Sequence, residues 1–543
     1  MKCKTWMQAL CLASVLSISV QAALANGGAG ETAPDCGPWD HIPHVAVPAV
    51  SERPVSGIIE EKDGRWLVSE DALHQYGLYR ADETKGTYWL RLPPAKDGLA
   101  LWDDDIVALR LPAQKSEDGT AVNIRYIQQS LGIPYTWTDG QKEIQEPLSP
   151  TRLIPRLRSS AGIETDGLAN VGKDKEKKKH KKSHAKKEQS MGLVLFWDPV
   201  MQLNEDLPSL DTAQPVMSPC AFRLTSTGVE LRYDELAMLE NRYAEQGYVM
   251  WPLVDNNFDP ALTHAILSDD QLQETIIKEL IGYAVLYKFN GYNIDFENIN
   301  YSDKDRLTAF VARLSQACRA YGLKVSMDVT PISNSMNWSR VYDREALAPH
   351  LDYMMLMAYD QFGRTSPVAG PVASYPWVEQ AVQGVTAIVP SEKVILGMPL
   401  YMRIWYETDD KKDLPLDINE WPDVVSKEET AKEDEVSIKA DAKKDTRHKP
   451  KKRTLLVRTL PMSASELLFA KYKDYITWND ELKLYYMDLP LKTGRVQVWF
   501  EDTKSLAEKT KLIAQYALGG ASFWRKGFES PQFWKRFAPQ ELT

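Results

Sequence analysis

After residue 190 the chain carries eight short apolar runs, at 193–197, 216–222, 248–254, 292–296, 324–329, 353–359, 394–400 and 521–524. Helical stretches lie between most of them, such as 271–288, where Leu272, Ile276, Leu280, Ala284 and Tyr287 recur at helical spacing. Strands apolar on both faces must be covered on both faces, and a β-then-α repeat covers them with helices outside and packed side chains inside. Eight such units predict an α/β chain built as a (β/α)8 TIM barrel over residues 191–543 rather than an open sheet.

The last two runs are more than 100 residues apart, far beyond the spacing of the others. That gap holds strand-like pieces near 475–478, 483–487 and 496–500, and a charged stretch, 427–453, with almost no apolar period. It reads as an α+β insertion near strand 7, with a charged, partly disordered part at about 410–455. Residues 50–145 alternate short strand-like runs with turns, and helical spacing from Val122 to Leu131, and so predict a small separate α+β domain. Within it, Asn123-Ile124-Arg125-Tyr126-Ile127 through Pro134-Tyr135-Thr136-Trp137 resembles the copper amine oxidase N-terminal-like domain. No histidine cluster accompanies the resemblance, so it implies no copper.

Residues 146–190 lose the apolar period. Between Lys173 and Lys187 nine lysines stand against Asp174 and Glu176, which predicts a solvated, self-repelling linker or an electrostatic contact with anionic wall polymer. The run from Gly167 to Lys173 has the outline of a phosphate loop. Asp174 stands where a magnesium-binding Ser or Thr belongs, however, and no strand precedes it.

The first 25 residues read as an export signal: Lys2 and Lys4, an apolar run from Ala9 to Val20, then Ala23-Leu24-Ala25 as a small-x-small cleavage site. The expected location is outside the cytoplasm, whether secreted, wall-associated or periplasmic. Removing the signal leaves Cys36, Cys220 and Cys318, too few and too scattered for a disulfide framework or a zinc site. Cys220 and Cys318 are expected in the core. A net charge of −10 argues against nucleic acid as a partner. No metal or other cofactor is expected, and a monomer is.

In a parallel barrel the reacting groups stand at the carboxyl ends of the strands. The fourth strand ends Asn290-Gly291-Tyr292-Asn293-Ile294-Asp295-Phe296-Glu297, where Asn293, Asp295 and Glu297 alternate and so share the inward face. Two neighbouring carboxyls raise each other's proton affinity, and an acid still protonated near neutrality can protonate a leaving oxygen.

This segment resembles the D-x-x-D-x-D-x-E signature of family 18 glycoside hydrolases. Met357-Ala358-Tyr359-Asp360, Gly397-Met398-Pro399-Leu400-Tyr401 and Gly520-Ala521-Ser522-Phe523-Trp524 resemble the family's later motifs, in order. The Asn-Ile-Asp-Phe-Glu-Asn variant, with Trp499-Phe500-Glu501-Asp502, is most similar to the branch acting on spore cortex or cell wall. The resemblance implies a retaining hydrolase of N-acetylglucosamine-containing glycans, peptidoglycan first and chitin as the alternative. In this family the substrate's own acetamide is the nucleophile. It implies Glu297 as general acid, Asp295 as the group that orients the acetamide, and Tyr359 as its hydrogen-bond donor. Asn293, Asp360, Tyr401, Trp524 and Met357 are implied in substrate binding.

Asn290 and Asn293 replace the first two signature aspartates, and an amide at 293 can hydrogen-bond Asp295 but cannot trade a proton with it. Sugar-binding barrels without activity also occur in this family, but they usually lose the glutamate retained here as Glu297. Neither an H-E-x-x-H cluster nor a G-x-S-x-G elbow occurs, so metal and serine hydrolysis lack their parts.

Overall fold

The structure is a computed structural model. It describes residues 192–409, 412–425 and 453–537 apart from 203–206, 208–209, 211–213 and 234–235. Before them it describes strands between 58 and 144 and a few flanking positions. The export segment, Cys36, residues 124–131 of the expected helix, the lysine-rich run and most of the charged stretch lie outside the described residues.

Eight parallel strands form the barrel: β1 (Leu193–Asp198), β2 (Gln214–Pro219), β3 (Val249–Met250 and Leu253–Asp255), β4 (Gly291–Asp295), β5 (Lys324–Val329), β6 (Tyr353–Met357), β7 (Val394–Pro399) and β8 (Gly520–Trp524). Each pairs with its successor, and β8 pairs with β1. The ring closes at β3, which is split at Trp251-Pro252 because Pro252 has no amide hydrogen to give a ladder. The first half pairs with β2 and the second with β4. Asn290 N–H donates to Met250 O and Asn293 N–H to Pro252 O, both at 3.0 Å, so the bonding runs through the break.

Alternation sorts the side chains into two cores. Leu193, Leu195, Trp197, Val216, Trp251, Leu253, Met355 and Ile395 fill the barrel interior. Val194, Phe196, Ile294, Met327, Leu356, Met398 and Phe523 face outward under the helices. Helix Asp270–Tyr287 starts on the Asp269 side chain, which accepts from the N–H groups of Gln271 and Leu272. Cys318 is buried in the outer core as expected, and Cys220 is half-buried at the end of β2.

Between β7 and β8 stands a five-stranded antiparallel sheet, ordered Thr454–Pro461, Tyr401–Thr408, Gly494–Phe500, Leu484–Leu491, Ile476–Asn479, with helix Ala464–Tyr472 and its own core. Helix Thr503–Gln515 returns the chain to β8 and is pinned by the fully buried ion pair of Lys509 with Glu501.

The early strands are antiparallel, and Val122 and Asn123, expected to begin a helix, belong to strand Gly119–Asn123. Strand Ile106–Arg110 lies against helix Asp270–Tyr287: Val107 and Leu109 are buried over Gly282. Arg110 N–H donates to the Tyr283 hydroxyl at 3.2 Å. Lys278 caps the Trp102 ring at 5.6 Å. This contact lies on the outer helix layer.

Candidate active site

The mouth of the barrel is built from the tops of the strands. Register sets Asp255 of β3 opposite Asp295 of β4, and Asn293 opposite Ser326 of β5. Two positions further along β5, Asp328 stands level with Asp295 on the same inward side. Three strands thus converge carboxyls, with Glu297 above them.

Asp255 is compensated: Arg223 Nε meets it at 2.8 Å and Arg232 Nη1 at 3.3 Å. Among the described residues Asp295 has no such cation. It is buried, and its Oδ1 has no hydrogen-bond partner among the described residues. Burial, then the charge of Asp255, pushes its carboxyl up to about 7. Glu297 is half-buried, and burial followed by Asp295, Asp360 and Asp255 raises its proton affinity well above the usual carboxylate range. Each charge here raises the cost of the next, so the cluster cannot ionise completely near neutral pH.

The Asn293 side chain does not bond Asp295, contrary to the expectation from sequence. Its Oδ1 accepts from the Trp197 indole N–H at 2.8 Å. Its Nδ2 donates to Ser326 Oγ at 3.0 Å and Asp328 Oδ1 at 2.8 Å. Both amide hydrogens are therefore directed at β5. Asn290 has a backbone task at the foot of β4, where its carbonyl accepts from Lys324 N–H and its side chain faces β3.

On the opposite wall, Tyr359 stands half-buried between Trp197 and Tyr401, its ring edge-on to both with centroids 6.3 Å apart. Trp524, half-buried at the end of β8, lies 6.0 Å from Trp197. Asp360 has a left-handed backbone at φ 63° and a half-exposed carboxylate. Arg403 Nη2 grips it at 2.8 Å, and Tyr401 donates its hydroxyl to the same oxygen. Met357 is buried at the end of β6.

Seven of the eight residues singled out in the sequence stand on the inward parity of strand tops or on the turns directly after them, and Tyr401 opens the strand that follows β7. Asp328, Trp197 and Arg403 carry no such signal in the sequence, although Ser326 and Asp328 alternate on a strand whose limits the apolar run 324–329 marks. Among the described residues no group of three or more His, Cys, Asp or Glu is arranged to hold a metal ion.

A parallel barrel whose mouth offers a proton-retaining glutamic acid above an inward aspartic acid, beside aromatic faces suited to pyranose C–H surfaces, has the equipment of a glycoside hydrolase. Residues 256–528, half of the chain, match Glycosyl hydrolases family 18, and the protein belongs to that family.

The chain is similar to the uncharacterized glycosylase YvbX of Bacillus subtilis (strain 168), 26% identical over 294 residues, 52% of this chain and 73% of the relative. It is 23% identical over 295 residues to the cortical fragment-lytic enzyme of the same organism, 53% of this chain but only 58% of the relative's length. A solved C-terminal domain of a provisionally assigned chitinase from Desulfitobacterium hafniense DCB-2 has the same fold. The TM-score is 0.52 at 23% identity, covering 64% of this chain and 97% of that one.

Proposed function

We propose that the protein is an exported, retaining hydrolase of N-acetylglucosamine linkages in peptidoglycan, acting by substrate-assisted catalysis. The observation that carries this reading is the state of the carboxyls. Glu297 keeps its proton beside a buried Asp295, while Asp360, on the opposite wall, is held by Arg403 and Tyr401. A protonated glutamic acid is available, and an uncompensated carboxylate nucleophile across the sugar is not among the described residues.

Glu297 then protonates the glycosidic oxygen. The acetamide oxygen of the sugar attacks its own anomeric carbon with the high effective concentration of a tethered group. Asp295 orients the acetamide and balances the positive charge that develops on it; Tyr359 donates a hydrogen bond to its oxygen. Water opens the resulting oxazolinium ring, with Glu297 now acting as base, and the anomeric configuration is retained. Asp360, Tyr401 and Trp524 hold the ring, while Asn293 and Met357 shape the floor.

Similarity to a cortical fragment-lytic enzyme supports peptidoglycan over chitin. The N-terminal 25 residues direct export, and the lysine run at 173–187 contacts anionic wall polymer. Deleting that run should weaken wall association, most at low salt, where screening is least. Product analysis on purified peptidoglycan beside chitin oligomers tests the substrate: faster release of reducing ends from peptidoglycan is expected, and preference for chitin oligomers overturns it.

A further inference from the structure

The signature aspartate missing at position 293 has a counterpart on the neighbouring strand. Asp328 is 1% exposed, on the inward side of β5, level with Asp295. The groups that face it are Asn293, Asp295 and Glu297 from β4, Trp197 from β1, Tyr359 beyond β6 and Tyr342 from the segment after β5. Asp255 faces Asp295 from β3. No Lys, Arg or His side chain forms an ion pair with Asp328 among the described residues. A buried carboxyl with acidic neighbours and no cation keeps its proton.

We propose that Asp328 works in this reaction as a neutral carboxylic acid and is the positioning residue for Asp295. It supplies from β5 the proton-bearing partner that Asn293 cannot supply from β4. This rests on the role of Asp295 proposed above.

Asn293 fixes the arrangement. Its amide N–H, 2.8 Å from Asp328 Oδ1, marks that oxygen as the acceptor, which leaves the other oxygen to carry the hydrogen. Asp295 Oδ1, on the neighbouring strand at the same level, is buried with no hydrogen-bond donor among the described residues. A carboxylate formed there needs a donor to be tolerated, and a neutral acid gives one without adding charge. Burial, then the charge of Asp295 and after it that of Glu297, raise the proton affinity of Asp328 well above the usual carboxylate range and outweigh the opposing hydrogen bonds from Asn293 and Trp197. The proton remains within the pair: as the acetamide becomes cationic the negative charge rests on Asp295 and the hydrogen on Asp328, with no outside acid or base required.

The arrangement predicts a specific pattern among variants. Asp328→Ala removes the donor, so Asp295 ionises less readily and the acid limb of the kcat profile moves up by about one pH unit, with KM little altered. Asp328→Asn is neutral, accepts from Asn293 through its oxygen and keeps an N–H to give, so it should restore the profile to within roughly half a unit. Asn293→Asp alone sets two carboxyls in contact and should impair turnover. Adding Asp328→Asn to it relocates the acid and should recover activity.

The decisive experiment measures kcat and KM against pH for the full chain and these variants on a chromogenic N-acetylglucosaminide. It is paired with infrared detection of protonated carboxyl C=O in wild type and Asp328→Asn. A shifted acid limb in Asp328→Ala, rescue by Asp328→Asn, and loss of a carboxylic-acid band in Asp328→Asn support the proposal. An unshifted limb in Asp328→Ala, equal impairment of both single variants, or an unchanged band overturns it. Wild-type enzyme that turns over no N-acetylglucosaminide or peptidoglycan would overturn the functional reading instead, and the infrared arm reads the state of Asp328 regardless.

Discussion

Asn256 brackets the peptide of Glu297. Its Nδ2 donates to Glu297 O at 2.8 Å and its Oδ1 accepts from Glu297 N–H at 3.0 Å. A third bond, from Nδ2 to Thr263 Oγ1 at 2.8 Å, fixes the amide itself. The residue is fully buried just past β3, so the backbone beneath the acid is set by a neighbouring strand as well as by its own. Asn256→Ala strands a buried donor and acceptor on Glu297, and should cost ~1–3 kcal/mol of stability. It should also lower kcat by about tenfold or more, because misplacement of an acid is costly. Thermal unfolding beside steady-state kinetics checks both; wild-type kcat would show that the bracket does not position Glu297.

The pairing of Asp360 with Arg403 is asymmetric. The guanidinium is 1% exposed and the carboxylate 42%. Removing the carboxylate with Asp360→Ala strands a buried cation, whereas Arg403→Met leaves an anion that water can reach. Asp360→Ala is therefore expected to lower the melting temperature more than Arg403→Met does. Both variants should raise KM for the glycan.

Buried Glu240 and half-buried Glu279 hold their protons in the fold well above the usual carboxylate range. Glu279 accepts from Val229 N–H at 2.6 Å and is pushed by burial up to about 8, and Glu240 is pushed by burial up to about 7. For such groups the folded state binds more protons than the unfolded one between the unfolded value and the raised one. Their stabilising effect is thus complete below about pH 4.5 and is lost as pH rises through 7 to 8. The melting temperature should fall from pH 5 to pH 8, and Glu279→Gln, which still accepts from Val229, should flatten the fall by about 2 °C or more. Calorimetry across that range reads the slope; a rising melting temperature contradicts it.

The barrel was legible because parallel strands buried on both faces leave an apolar run that needs no partner to be seen. Residues 324–329 matched β5 at both ends, and the alternation of Asn293, Asp295 and Glu297 oriented the site. What escaped depends on neighbours distant in sequence. Asp328 gains its meaning from register with Asp295, and Asn256 from reaching across to β4. The break at Trp251-Pro252 was hidden inside one apolar run. Tyr401 was read as the end of a motif, yet it opens the eight-residue strand Tyr401–Thr408, which leaves the barrel for the inserted sheet.

The early strands touch the barrel where Gly282 leaves room. A Cβ there would come within 2.9 Å of Val107 Cγ1 and 3.0 Å of a Leu109 methyl. Side-chain ends can yield to a methyl but not to a larger group. Gly282→Leu should therefore wedge strand Ile106–Arg110 off helix Asp270–Tyr287. Hydrogen exchange at Val107 and Leu109 should accelerate while turnover of a small soluble glycoside stays unchanged. Unaltered exchange would mean that this contact does not hold the strand.

In the proposed mechanism the substrate's acetamide, assisted by Asp295 and Glu297, does the work of a nucleophile. The most direct measurement compares initial rates on peptidoglycan before and after de-N-acetylation, for wild type and Glu297→Gln. Wild type should lose nearly all activity on the de-N-acetylated glycan, and Glu297→Gln should lose about 10²–10⁴-fold on the acetylated one while still folding. Comparable wild-type rates on the two glycans, or capture of a glycosyl ester on any Asp or Glu of the chain, would rule out catalysis by the acetamide.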